Sequence, residues 1–140
     1  MQTLSRRAVL ALAAGGAAAA LSVGRAWAYD FVWFTPETKA ELDASGKPYL
    51  MYFWATWCNT CRTQAETIEA LLMANPTYAT VPIMRVDWDV YVNGPMVAEM
   101  KIPRRATILL MQGGSELQRN VAGTGPEHIE PFFKAALGTA

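Results

Sequence analysis

Lys47-Pro48-Tyr49-Leu50-Met51-Tyr52-Phe53-Trp54-Ala55-Thr56-Trp57-Cys58-Asn59-Thr60-Cys61 is an apolar run that stops at a pair of thiols. Tyr49–Trp54 is apolar almost throughout, the pattern of a central strand buried on both faces. Beyond the thiols, Arg62 to Met73 carries a helical period. The two cysteines are the only ones in the chain and stand at Cys-x-x-Cys spacing. That spacing lets two thiols close a small disulfide ring or bind one soft metal ion. A strand-to-helix junction places the pair at a helix N-terminus, where free N–H groups and the helix dipole stabilise thiolate. Thiolate is the reactive form, so the context favours thiol–disulfide exchange.

The helix separates the two roles. Cys61, Ala65, Ile68 and Leu72 recur at steps of four, three and four and share one face, read as the core face. Cys61 is therefore expected to point inward. Cys58, on the first turn, is expected to be the exposed thiol of lowered pKa, which attacks while Cys61 resolves. Arg62, Glu66 and Glu69 read as a solvated outer face.

The segment from Lys47 to Cys61 resembles the active-site segment of the thioredoxin superfamily, with its strand, both tryptophans and its helix in place. The likeness extends more faintly over most of the chain after Ala28. It implies an α/β fold, a thioredoxin-like mixed sheet of four or five strands with helices on both faces. It implies a thiol–disulfide oxidoreductase whose redox disulfide is Cys58–Cys61, needing no cofactor and no metal but a redox partner. It assigns Trp57, Arg105, Ala106 and Thr107 to contact with substrate.

Three positions depart from the superfamily pattern. A buried Asp that assists proton transfer at the resolving cysteine is replaced by Tyr52, for which core packing is expected ahead of the alternative, a contribution from its hydroxyl. The loop facing the cysteines places a cis-proline before a Thr and an apolar strand. Aligned on Thr107-Ile108-Leu109-Leu110-Met111, that position is Ala106, after Arg105; Pro103 lies three residues early. A trans Arg105–Ala106 bond is expected, because cis before a non-proline residue costs about 2.5–4 kcal/mol. Arg105 would set a positive charge near Cys58, favouring thiolate and acidic partners. The dipeptide Asn59-Thr60 carries neither the His of oxidising relatives nor the Gly-Pro of reducing ones. It assigns no potential within a range of about −270 to −120 mV.

The remaining pattern fills in the fold. Tyr29–Phe34 reads as a first strand or extended segment, and Thr35-Pro36 as the start of a helix ending near Ala44. Val81–Val86 reads as a strand, and Asp87-Trp88-Asp89 as a loop edge rather than a metal site. Asn93-Gly94-Pro95 opens a short helix whose Met96, Val97 and Met100 sit at core spacing. Thr107–Met111 and Glu116–Ala122 flank Gly113-Gly114 as a hairpin. A last helix opens at Gly125-Pro126, buries Ile129, Phe132, Phe133, Ala136 and Leu137, and is capped by Gly138. Pro131 is expected to kink it or delay its start. His128, the only histidine, reads as a surface or capping residue.

The N-terminus reads differently. Ser5-Arg6-Arg7-Ala8-Val9-Leu10 resembles a twin-arginine export signal, followed by an Ala/Gly-rich run to Val23, then Arg25 and the small-residue site Ala26-Trp27-Ala28. Residues 1–28 are thus expected to be a cleaved twin-arginine-type signal peptide, with 29–140 a thioredoxin-like domain. The alternative is an uncleaved anchor; the run is short and weakly apolar for a span. The expected location is periplasmic and the expected partners are exported protein thiols and disulfides, with no stable membrane span after cleavage. Residues 29–140 hold nine basic and twelve acidic side chains, a net charge of −3, which does not suggest nucleic acid. The competing function is a metal-binding or metal-delivery protein using both thiolates, with further ligands from a second chain or thiol.

Overall fold

The computed structural model describes residues 29–138; the expected signal peptide lies outside them. Five strands form one sheet in the order β1-β3-β2-β4-β5. β2 (Tyr49–Trp54) is central, parallel to β3 (Ile83–Asp87) and antiparallel to β4 (Thr107–Gln112). β1 (Val32–Trp33) runs parallel on one edge, and β5 (Ser115–Val121) antiparallel on the other.

Strand alternation divides the core into two layers. Leu50 and Tyr52 of β2 join Ile108 and Leu110 of β4 on one face. Tyr49, Met51 and Phe53 join Leu109 and Met111 on the other. This is the period-2 register that a sheet buried on both faces requires. Helices α2 (Asn59–Ala74) and α5 (Pro126–Gly138) cover the first face through Ile68, Leu72, Ile129, Phe132 and Phe133. On the second face, Leu42 of α1 (Pro36–Ser45) and Met96, Val97 and Met100 pack against the core. The mixed sheet with helices on both faces is the architecture read from the sequence, and the methionines are packing residues.

Local chemistry sets the boundaries. Thr35 caps α1 in a reciprocal box with Thr38, and Pro36 occupies the first turn. Gly113 and Gly114 both take positive φ, 57° and 82°, the backbone of a tight hairpin turn whose twist suits its strands.

Five points differ from the sequence reading. The first strand is only two residues long, because only Val32 and Trp33 find partners, Met84 and Arg85. The third strand begins at Ile83 rather than Val81, after a short 3-10 turn, Pro76–Thr80. The segment after β3 is not a loop edge: the Asp87 side chain accepts from the Asp89 N–H and caps a short helix, α3 (Trp88–Tyr91). A second short helix follows, α4 (Pro95–Glu99). Pro131 neither delays α5 nor ends it. It sits on the exposed face while Ile129 and Phe133, fully buried, hold the helix on the sheet. Gly138 is the last helical residue, not a cap beyond it.

Candidate functional site

The site lies at the C-terminal end of β2, where Ala55-Thr56-Trp57 turn the chain into α2. Cys58 is the N-cap of α2. Its sulfur accepts the Cys61 N–H at 3.1 Å, so it satisfies one of the orphan donors of the helix start. Cys58 and Cys61 are joined in a disulfide with Cα atoms 5.2 Å apart. A sulfur in this position faces the positive end of a 16-residue helix, which favours negative charge there.

The two sulfurs are less different in exposure than the sequence suggests. Cys58 retains 3% of its accessible surface and Cys61 none. Cys58 is therefore not an exposed residue, and the order of access is preserved only by this small margin. Packing explains it: Cys58 and Cys61 both belong to the core cluster that includes Tyr52, Ala55 and Ala106.

Tyr52 does more than fill space. Its hydroxyl donates to the Cys61 carbonyl at 2.5 Å from directly beneath the pair. Burial raises the Tyr52 phenol pKa, with the neighbouring Arg85 charge acting in the opposite sense. Arg85, paired with Tyr52 across β2 and β3, lies over the rings of Phe31 at 3.7 Å and Trp54 at 4.4 Å. Burial lowers its pKa, and among the described residues it forms no ion pair.

The facing loop is fixed by its backbone. Ala106, rather than the exposed Pro103, packs with the cysteines. The bond from Arg105 to Ala106 is trans, and Ala106 takes φ of 60°, a left-handed conformation that side chains rarely adopt. Its N–H donates to the Phe53 carbonyl at 2.7 Å, and its carbonyl accepts from the Ala122 N–H at 2.9 Å. These bonds extend the sheet pairing one residue beyond β4 and hold the strained conformation in place. The Thr107 hydroxyl donates to the Arg104 carbonyl at 2.7 Å and closes the loop on itself.

Trp57 is half exposed, at 53%, beside the disulfide. Its indole N–H donates to both Asp89 carboxylate oxygens at 3.0 Å. The Arg105 guanidinium stacks over its ring at 4.3 Å. Trp57, Arg105, Ala106 and the cysteine pair are thus brought together, with Thr107 buried behind them.

Gln64 is the residue that sequence reasoning missed. It is fully buried one turn beyond Cys61, on the face read as apolar, while Ala65 is only half-buried. Its Nε2 donates to the carbonyls of Ala106 and Gly123, each at 2.9 Å. One side chain thereby ties the redox helix to the facing loop and to the segment before α5. No third His, Cys, Asp or Glu joins the cysteines in a metal-ligand cluster among the described residues.

Comparison with known proteins agrees with this geometry. The family model described as Thioredoxin matches residues 33–135. The chain is 31% identical over 81 residues to a thioredoxin of Mycolicibacterium smegmatis, covering 58% of this chain and 70% of that one. It is 34% identical over 86 residues to a bifunctional thioredoxin reductase/thioredoxin of Mycobacterium leprae, covering 61% of this chain but only 18% of that protein's length. Among solved structures, Trxlp from Edwardsiella tarda superposes with a TM-score of 0.65 at 22% identity, covering 74% of this chain and 98% of that one. Thioredoxin from Trypanosoma brucei brucei gives 0.63 at 21% identity, with 81% and 96% covered. The chain belongs to the thioredoxin family, and its Cys-x-x-Cys pair makes it a thiol–disulfide oxidoreductase.

Proposed function

We propose that this protein exchanges disulfides with exported protein partners through Cys58 and Cys61, with Cys58 as nucleophile. The observation that carries the assignment is the Cys58 sulfur at the N-cap of α2, accepting the Cys61 N–H at 3.1 Å. In the reducing direction, the Cys58 thiolate attacks one sulfur of a partner disulfide. A mixed disulfide forms, and the other partner sulfur leaves as thiolate and takes up a proton. Cys61, deprotonated, then attacks the Cys58 sulfur. The partner leaves as a dithiol and the pair returns to the disulfide state. The two electrons come from the Cys58–Cys61 dithiol, which a separate reducing partner must regenerate. Donation of a disulfide is the same sequence reversed.

Helix position supports the division of labour. The dipole and the free N–H groups stabilise thiolate most at the first residue of the helix. Trp57 and Arg105 flank the disulfide and are the residues proposed to meet the substrate, while Ala106 packs with the cysteines and Thr107, fully buried, holds the loop from behind. Turnover of a protein disulfide with dithiothreitol as electron source tests the activity. Cys58→Ser should abolish it, and Cys61→Ser should accumulate mixed disulfides with partners. Mixed disulfides trapped by Cys58→Ser instead would reverse the roles.

The site of action is proposed from the N-terminus. Arg6-Arg7, the Ala/Gly-rich run and Ala26-Trp27-Ala28 support export by the twin-arginine route, with cleavage after Ala28 and action in the periplasm. Arg6→Lys with Arg7→Lys should hold the protein in the cytoplasm. N-terminal sequencing of the exported form should begin at Tyr29; unchanged export or retention of Met1 would overturn the route or the cleavage.

A further inference from the structure

The immediate surroundings of the disulfide differ in charge from the rest of the domain. Residues 29–140 carry a net charge of −3. Yet Arg62 lies on the first turn of α2, and Arg104 and Arg105 lie in the loop that Gln64 ties to it. None of the three forms an ion pair among the described residues. Asp89 accepts from the Trp57 indole and Asp87 from the Asp89 N–H, neutral donors that leave both charges in place, but the three arginines outnumber these two carboxylates.

Arg105 is the best placed of the three arginines. Its guanidinium stacks on Trp57, the residue next to Cys58, and its backbone leads directly into Ala106, which packs with both cysteines. Asp89 fixes the indole edge, so the ring is a fixed platform for the cation. Stacking leaves the in-plane N–H donors of a guanidinium free for a carboxylate. The Arg105 Nε is buried without a hydrogen-bond partner. An arginine held in this way has lost part of its hydration and gained no counter-ion, which leaves it poised for an anionic one.

We propose that Arg105 is a specificity-determining residue, selecting disulfide substrates whose flanking segment carries a carboxylate. The inference rests on the thiol–disulfide reading of Cys58 and Cys61 and names the substrate class for it: acidic peptide segments. As such a segment lies across Trp57, its carboxylate meets the stacked guanidinium while its sulfur meets Cys58. Arg62 and Arg104 add a weaker attraction, because more open charges are more strongly screened.

The test uses the reduced full-length chain and three peptides sharing one intramolecular disulfide, flanked by Glu, Gln or Lys. The second-order rate constant for disulfide exchange should fall in the order Glu, Gln, Lys. The Glu peptide should exceed the Gln peptide by about fivefold at low ionic strength, and the ratio should approach one in molar salt. Arg105→Ala should remove most of the preference, and Arg62→Ala less of it. Arg105→Glu should favour the Lys peptide, a reversal that a purely structural role for Arg105 would not produce. Equal rates for the three peptides, or a wild-type order retained by Arg105→Ala and Arg105→Glu, would overturn the proposal. Failure of the reduced chain to react even with the Gln peptide would instead remove the thiol–disulfide reading on which it stands.

Discussion

The Tyr52 hydroxyl donates to the Cys61 carbonyl at 2.5 Å, so a buried phenol supports the backbone of the redox pair. Tyr52→Phe deletes the donor and keeps the ring. It should cost about 1–2 kcal/mol, the range for losing a buried hydrogen bond while its acceptor stays in place. Denaturant titration of the oxidised protein checks the loss. An unchanged midpoint would mean that the hydroxyl contributes only packing.

Phenols of raised pKa, Tyr29, Tyr49, Tyr52 and Tyr78, set the behaviour in alkali. Burial raises Tyr29 to about 12. Burial also raises Tyr52, and burial with the Asp43 carboxylate raises Tyr49. A folded pKa above the unfolded value of about 10 means that the unfolded chain ionises first. Stability should therefore be intact below pH of about 10 and fall as the pH rises through about 12. Denaturation midpoints and phenolate absorbance should move together across that window.

Asp43 gives the opposite sign. Burial acts to raise its pKa, but bonds from Lys39 and Tyr49 outweigh it and leave the carboxyl below its ordinary value. Its contribution should be present above the unfolded carboxylate pKa of about 3.9 and be lost as acid protonates the folded group. Asp43→Asn should flatten the acid limb of the stability curve.

Gln64→Ala should cost about 2–3 kcal/mol, from two lost hydrogen bonds and a small cavity. Hydrogen exchange gives the more specific readout. The Ala122 amide, bonded to the Ala106 carbonyl, should lose protection before amides of β2 do.

Pro131→Ala should stabilise the protein by about 1–3 kcal/mol. It supplies the missing N–H inside α5 and removes the ring clash with the preceding turn, at an exposed position. A lowered midpoint would show that the proline serves a packing role.

The central features were legible because each writes a local period. Tyr49–Trp54 is a continuous apolar run, and the helix after Cys58 repeats its apolar side chains at helical spacing. The register at Ala106 follows from strand alternation, since a shift of one residue would turn Ile108 and Leu110 to the other face. Gln64 was illegible because its partners are carbonyls of distant residues, and a polar side chain on an apolar face has no signature of its own. Pro131 does not delay the start of α5, because the burial of Ile129 and Phe133 holds the helix on the sheet around it. The capping role of Asp87 did have a signal, an Asp directly before a short apolar run, but the paired carboxylates invited a reading as a loop edge.

The bonds from Gln64 join residues 42 and 59 positions apart in the chain. The surroundings of the redox pair therefore close late, after contacts of high sequence separation have formed. Until then both thiols are open to water and to oxidants. With two cysteines in the whole sequence, such a nascent chain has a single intramolecular disulfide to form and none to scramble. Its oxidative folding errors are confined to links between molecules, so the refolding yield in an oxidising buffer depends on dilution rather than on an isomerase.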